Sequence, residues 1–225
     1  MKSKIIKLAF IDTETTGLDP VMNDPFQVAM IYRELLFEYD RSGSFNFTFT
    51  GSYDEKVFYM KPLNFDTISP QALTINGITI DQLKSYLPAS TVFPVDIVSF
   101  LETKVDRFNK EDKMVPVGYN VKFDMDFLFA LATKLGFKFF GSYFSRKPID
   151  VLDHFRNLSL LFPGVFTNVK LQTVCEAAGL YLTHAHNALD DIKATMHLFE
   201  QSMLPQLSLV QNSNFQIWGG LNFDE

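Results

Sequence analysis

The sequence predicts a single α/β domain built on a mixed β-sheet flanked by helices. Strand-like runs fill Lys7 to Met60, and helical apolar spacing with one short strand fills Ile68 to Phe199. No repeat and no Pro/Ser-rich linker divides them. At 225 residues, with 47% hydrophobic and 20% charged residues, the chain can bury one substantial core, and disordered or collagen-like classes are excluded. The domain is expected over residues 1–204, with a polar tail over 205–225 interrupted by Gly219-Gly220.

The first strand is the apolar run Leu8 to Ile11, which leads directly into Asp12 and Glu14. A period of two puts these carboxylates on one face. Two like charges at the end of a buried strand repel each other and lose hydration, so a hard divalent cation between them is the natural remedy. Thr15-Thr16-Gly17-Leu18 follows with hydroxyls, backbone N–H groups and a glycine, which suit close approach of a sugar or phosphate.

Phe26 to Tyr32 has the composition of a second strand. Phe45 to Thr50 alternates aromatic and polar residues as a third, which Gly51 to Asp54 breaks before Val57 to Met60 resumes. Two short helical turns are predicted at Ile68–Leu73 and Thr79–Leu83, separated by Asn76-Gly77. Ile97, Leu101, Val105 and Phe108 then fall on one face of an amphipathic helix. Met114 to Tyr119 reads as a short buried strand, and Phe127, Leu128, Leu131 and Leu135 as a helix stopped by Gly136, with Asp124 near its start. Phe139 to Pro148 is an aromatic and basic loop, and its Tyr143 and Phe144 are candidates for stacking on an unpaired base. Further helices are expected around Val151–Leu161 and Leu171–Ala178. The last carries Leu189, Ile192, Met196 and Phe199 on one face, capped by Asn187.

The net charge of −6 argues against a protein that grips long nucleic acid through many phosphates. Lys61, Lys122, Arg146, Lys147 and Lys170 are scattered along the sequence, as suits holding a few terminal nucleotides. The lone Cys175 can form no intrachain disulfide, no run reads as a signal peptide or a membrane span, and a cytoplasmic location is expected.

Three separated stretches end core elements with acidic residues: Asp12-Thr13-Glu14, Gly118 to Asp124, and His186 to Asp191. Four carboxylates from them suffice for a two-metal cage for Mg²⁺ or Mn²⁺, and a histidine can take a proton from water near neutral pH. The segments Asp12-Thr13-Glu14-Thr15-Thr16-Gly17, Asn120-Val121-Lys122-Phe123-Asp124 and His186-x4-Asp191 resemble, in order and spacing, the three motifs of the DEDDh exonuclease family. This is an RNase H-like group that includes the proofreading subunit of bacterial DNA polymerase III, ribonuclease T and oligoribonuclease. Met60-Lys61-Pro62, Asn76-Gly77-Ile78-Thr79 and Ile149-Asp150-Val151-Leu152 add weaker likeness, which spans Lys7 to Gln201 and is nearest to the polymerase III type.

The resemblance implies a two-metal 3′→5′ exonuclease that releases nucleoside monophosphates from single-stranded or frayed DNA ends. Asp12, Glu14, Asp124 and Asp191 would hold two Mg²⁺, with Mn²⁺ able to substitute, and His186 would be the general base. Thr15, Thr16, Gly17, Leu18 and Asn120 would contact the terminal nucleotide, with Leu18 as a wedge. His184 is set aside as the base because the residue five after it is Leu189. Tyr119 stands where proofreading relatives often have His. The alternatives are an RNA-directed enzyme of the ribonuclease T or oligoribonuclease kind, and a non-catalytic binder of 3′ ends. Gln206 to Val210 resembles a short peptide that docks on the bacterial sliding clamp, which offers a possible polymerase or clamp contact.

Overall fold

The computed structural model describes residues 2–39, 45–182 and 187–203. His184, His186 and the tail from Leu204, Gln206 to Val210 included, lie outside the described residues. Strands β1 (Lys2–Thr15), β2 (Pro25–Tyr39), β3 (Phe45–Tyr59), β4 (Met114–Gly118) and β5 (Ile149–Asp150) form one mixed sheet in the order β3-β2-β1-β4-β5. β1 runs antiparallel to β2 and parallel to β4, so the chain's first strand is the sheet's centre. Its middle is apolar on both sides, as a strand covered on both faces must be.

The alternation of β1 sorts the two cores. Ala9 and Ile11 face one side, where they pack with Val121, Leu128 and Leu131 of helix α5 (Val121–Lys134) and with residues of the segment 89–101. Leu8 and Phe10 face the other side, against Val151 and Phe155 of α6 (Val151–Leu161), Val174 and Cys175 of α7 (Leu171–Ala177), and Ile192 and Met196 of α8 (Ala188–Leu198). Cys175 is fully buried, in keeping with its place in an apolar helical pattern.

The two short helices expected before the amphipathic segment are α1 (Pro70–Ile75) and α2 (Ile80–Ser85), each capped by the hydroxyl residue before it. Three expectations need correction. β3 is continuous through Gly51: the register with β2 shifts between Tyr32 and Glu34, and Gly51 takes a φ of +62°, so the glycine stretch is a bulge and not a break. The helix predicted through Phe108 is α3 (Ala89–Val92), a π-helical turn Phe93–Val98 and α4 (Ser99–Glu102), after which the Thr103 hydroxyl donates to the Phe100 carbonyl at 2.7 Å. Phe108 lies beyond the helix and is 82% exposed. Tyr143 and Phe144, candidates for stacking on a base, are buried instead and anchor the loop: both pack edge-on against Phe140, and the Tyr143 hydroxyl donates to Glu102 Oε1 at 3.0 Å. No helix among the described residues is long and apolar enough to cross a membrane.

Candidate active site

Asp12 and Glu14 continue the face of β1 that carries Leu8 and Phe10. They therefore point toward α8, whose first turn holds Asp191. Asn187 caps that helix by accepting from Leu189 N at 3.1 Å, which fixes where the turn begins. The result is one close group: carboxylate oxygens of Asp12, Glu14 and Asp191 all lie within 4.8 Å of one another. Asp190, one residue earlier, is not part of this group.

Asp124 arrives from the opposite face. Thr13 alternates with Asp12 and Glu14, points toward α5, and donates to Asp124 Oδ1 through both its backbone N–H at 2.9 Å and its hydroxyl at 2.8 Å. The first turn of α5 is thereby tied to the end of β1. Asn120 before it takes a left-handed φ of 70°, and its N–H donates to Asp150 Oδ1 at 2.9 Å. Asp150 also caps α6 by accepting from Leu152 N at 3.0 Å, so the acidic residue of the Ile149-Asp150-Val151-Leu152 stretch has structural work. The Tyr119 hydroxyl donates to the Val169 carbonyl at 2.7 Å, so the Tyr-for-His departure is spent on holding a loop.

Burial and mutual repulsion make Asp12, Glu14 and Asp124 reluctant to ionise. Burial comes first for each. It holds Asp12 well above the usual carboxylate range, reinforced by Asp124, Asp191 and Glu14. It raises Glu14 to about 7 with help from Asp191. Asp124 is pushed up to about 8 by burial and by Glu14, against the lowering effect of the Thr13 hydrogen bonds. A donor set of crowded carboxylate oxygens that resists ionisation fits a hard divalent cation, which would relieve burial and repulsion together.

Beside the carboxylates opens a cavity of about 250 Å³. One wall is the strand end, Glu14, Thr15, Gly17 and Leu18; the other is α1 with Ser69, Gln71, Ala72, Ile75 and Asn76, and Phe123 of α5 closes the end. Leu18 is 85% exposed and stands at the rim. Gly17 has a steric reason: a Cβ there would meet Asn23 Oδ1 at 2.3 Å. Thr16 and Asn120 do not line the cavity. The Thr16 N–H donates to the Asp24 carbonyl at 2.9 Å, and its own carbonyl accepts from Ser69 N at 2.8 Å, so its polar groups are committed inside the protein.

The sequence reading missed Phe123, Gln71 and Ile75 as lining residues. Phe123 was legible in principle, since it directly precedes Asp124 within the second motif. Of the basic residues Lys61, Lys122, Arg146, Lys147 and Lys170, only Arg146 joins a cationic groove, which is otherwise made by residues the sequence pattern did not single out. Lys4, Lys7, Arg107, Lys110, Lys113, Lys138 and Arg146 line one groove of about 1300 Å³ that holds a single acidic residue, Glu111. Phe108 and Phe139 of that groove are 82% and 74% exposed.

Known proteins extend these observations. Ribonuclease T of Haemophilus influenzae is 29% identical over 196 residues, covering 84% of this chain and 76% of that protein. E. coli exonuclease I in complex with a dT13 oligonucleotide superposes with a TM-score of 0.65 at 24% identity, covering 90% of this chain and 42% of that one. Its zinc-bound complex with single-stranded DNA gives a TM-score of 0.63 at 24% identity over 92% of this chain and 40% of that one. The chain thus spans about two fifths of exonuclease I, a likeness that shows the fold. The expected nearness to the polymerase III proofreading subunit gives way to these relatives. The family described as Exonuclease (RNase_T) matches residues 9–199, from the middle of β1 through the end of α8, and the chain therefore belongs to this family of DEDDh-type 3′→5′ exonucleases.

Proposed function

We propose that the protein removes nucleotides one at a time from the 3′ ends of single-stranded nucleic acid, with RNA a substrate in the manner of ribonuclease T. The observation that carries this reading is the three carboxylates within 4.8 Å of one another, one of which, Glu14, lines the cavity of about 250 Å³. A cavity of that size suits one terminal nucleotide and not a duplex end. The net sequence likeness to a ribonuclease favours RNA over the DNA-directed reading. Single-stranded DNA is the second substrate, in line with a fold shared with an enzyme crystallised on dT13.

In this reading Asp12, Glu14, Asp124 and Asp191 are the ligands of two Mg²⁺, replaceable by Mn²⁺. Bound there, divalent ions neutralise the attacking and leaving oxygens of an in-line phosphoryl displacement. The chain's own contributions are positional. Thr13 holds Asp124 on the far face of β1. Thr15, Gly17 and Leu18 meet the terminal sugar and base, and Phe123 supplies an aromatic surface within reach of the base. His186 is the general base: it takes a proton from water as the water oxygen bonds to phosphorus and the bond to the 3′ oxygen of the preceding nucleotide breaks. The released product is a nucleoside 5′-monophosphate. The clamp-like stretch Gln206 to Val210 remains a separate proposal, tested by direct binding of a peptide spanning Pro205 to Asn214.

The test is a time course with 5′-labelled single-stranded RNA and DNA of matched sequence in Mg²⁺. A ladder that shrinks from the 3′ end in wild type and is absent in Asp12→Ala is the expected result, with RNA cut at least as fast as DNA. His186→Ala should lose about 10²–10⁴-fold in rate, as loss of a general base does, while His184→Ala stays near wild type. End binding without any ladder in Mg²⁺ or Mn²⁺ would leave the non-catalytic binder as the better account.

A further inference from the structure

The wall of the cavity formed by α1 has only a thin apolar anchor. The helix is six residues long, none of them is fully buried, and its apolar contact is limited to half-buried Ala72 and Leu73. So small a contact contributes little to holding a short helix in place. Its position over the strand end relies also on polar connections, several of which run through one buried residue.

That residue is Asp24, whose side chain is 1% exposed. Its Oδ1 accepts from Lys134 Nζ at 2.8 Å, and its Oδ2 accepts from the N–H groups of Leu63 and Asn64 at 2.9 and 3.0 Å. Its backbone exchanges hydrogen bonds with Thr16: Thr16 N donates to the Asp24 carbonyl at 2.9 Å, and Asp24 N donates to the Thr16 hydroxyl oxygen at 3.0 Å. Lys134 Nζ also donates to the Asn23 carbonyl at 2.8 Å, and Asn23 Nδ2 donates to the Thr67 carbonyl at 2.6 Å. Asp24 thus joins the strand-end wall, the segment that leads into α1, and the last turn of α5. Two further bonds complete the seam between the walls: Ser69 N to the Thr16 carbonyl at 2.8 Å, and Asn76 Nδ2 to the Thr15 carbonyl at 3.2 Å.

We infer that buried Asp24, paired with the partly exposed Lys134, is a positioning device for the terminal nucleotide, fixing the gap between the strand end and α1. Neither residue lines the cavity or belongs to the carboxylate group. Lys134 lies ten positions beyond Asp124 on α5, about 15 Å along the helix. The helix is therefore clamped to the strand-end region twice, by Thr13–Asp124 at its start and by Asp24–Lys134 at its end. The first clamp sets the carboxylates; the second sets the pocket.

The inference rests on the proposed exonuclease site, and its test separates the two. Lys134→Met leaves the carboxylate without its cation, while the double variant Asp24→Asn/Lys134→Met removes both charges and with them the cost of a lone buried charge. Both variants should raise KM for a single-stranded oligonucleotide by about tenfold or more with kcat within about threefold of wild type, the pattern of lost binding without lost chemistry. Mn²⁺ affinity should stay unchanged, and Lys134→Arg should restore KM. Without substrate, the amides of Leu63, Asn64 and Ser69 should exchange with solvent about tenfold faster or more in Lys134→Met. A wild-type KM in the folded double variant, or a fall in kcat that tracks lost Mn²⁺ affinity, would overturn the positioning role. Failure of wild type to degrade any strand would instead defeat the exonuclease reading, and the exchange rates would still judge the clamp.

Discussion

Asp12, Glu14 and Asp124 each carry a proton to higher pH in the folded protein than in the unfolded chain, burial being the first cause in every case. The metal-free folded state therefore binds more protons than the unfolded state from the ordinary carboxylate range up to about 8. Their contribution to stability is full below the unfolded pKa values and is lost as pH rises through the folded ones. Metal-free protein in EDTA should accordingly melt at a lower temperature near about pH 9 than near about pH 5, and Mg²⁺ or Mn²⁺ should remove most of that difference. Equal melting temperatures at both pH values without metal would show that these groups ionise freely. Gly17 makes a second prediction at this scale. The Asn23 side chain that a Cβ would strike is held at both ends, its Oδ1 accepting from Asp19 N at 3.1 Å and its Nδ2 donating to Thr67 O at 2.6 Å. Gly17→Ala should cost about 1–3 kcal/mol, read by urea denaturation, because the obstacle cannot swing away cheaply.

Among the elements, α5 carries more of the site than its sequence pattern announces. Its apolar face is ordinary core, yet its first turn delivers both Asp124 and Phe123. The Phe123 ring packs on Phe127 with centroids 4.8 Å apart and also lines the cavity. Phe123→Ala should weaken binding of the terminal nucleotide by about 1–3 kcal/mol, the range for loss of one stacking partner, with KM bearing the change and kcat little affected. Steady-state kinetics on a short single strand decides it: an unchanged KM would assign Phe123 to packing alone. Leu18 lines the same cavity and is exposed; if it wedges the terminal base as proposed, Leu18→Ala should slow degradation of single strands.

On the scale of the molecule, charge is distributed by pole. The carboxylates sit where β1 ends, whereas the basic groove is lined by the beginnings of β1 and β4, from Lys4 to Lys7 and at Lys113. Lys7 and Asp12 are five residues apart on one strand, about 17 Å. A net charge of −6 is thus compatible with a groove lined mainly by cationic residues. Not all of these cations are available: Lys7 is paired with Asp112 at 2.6 Å, and Lys113 donates to the carbonyls of Arg107 and Ser142. Lys110 and Lys138 are the better probes. If longer strands reach this groove, Lys110→Glu/Lys138→Glu should reduce binding of a long single strand and flatten its salt dependence, while leaving a dinucleotide unaffected. Identical salt slopes for variant and wild type would confine substrate contacts to the carboxylate end.

The sequence by itself determined the α/β class on a mixed sheet, four of its five strands in outline, most of the helices and which acidic residues are the candidates, because those follow from local periodicity and from three short motifs. Period two put Asp12 and Glu14 on one face, and the cap at Asn187 put Asp191 in the first turn of a helix. What it could not determine was which side of β1 each partner approaches. Only the tertiary structure brings Asp191 to the face of Asp12 and Glu14 and gives Asp124 to Thr13 on the other, since that depends on which helix covers which face of the sheet. The same holds for the buried Tyr143 and Phe144, the assembled basic groove and the Asp24–Lys134 clamp, each made by residues distant in sequence. Local pattern records what a residue can do; burial and neighbours, which are set by packing, decide what it does.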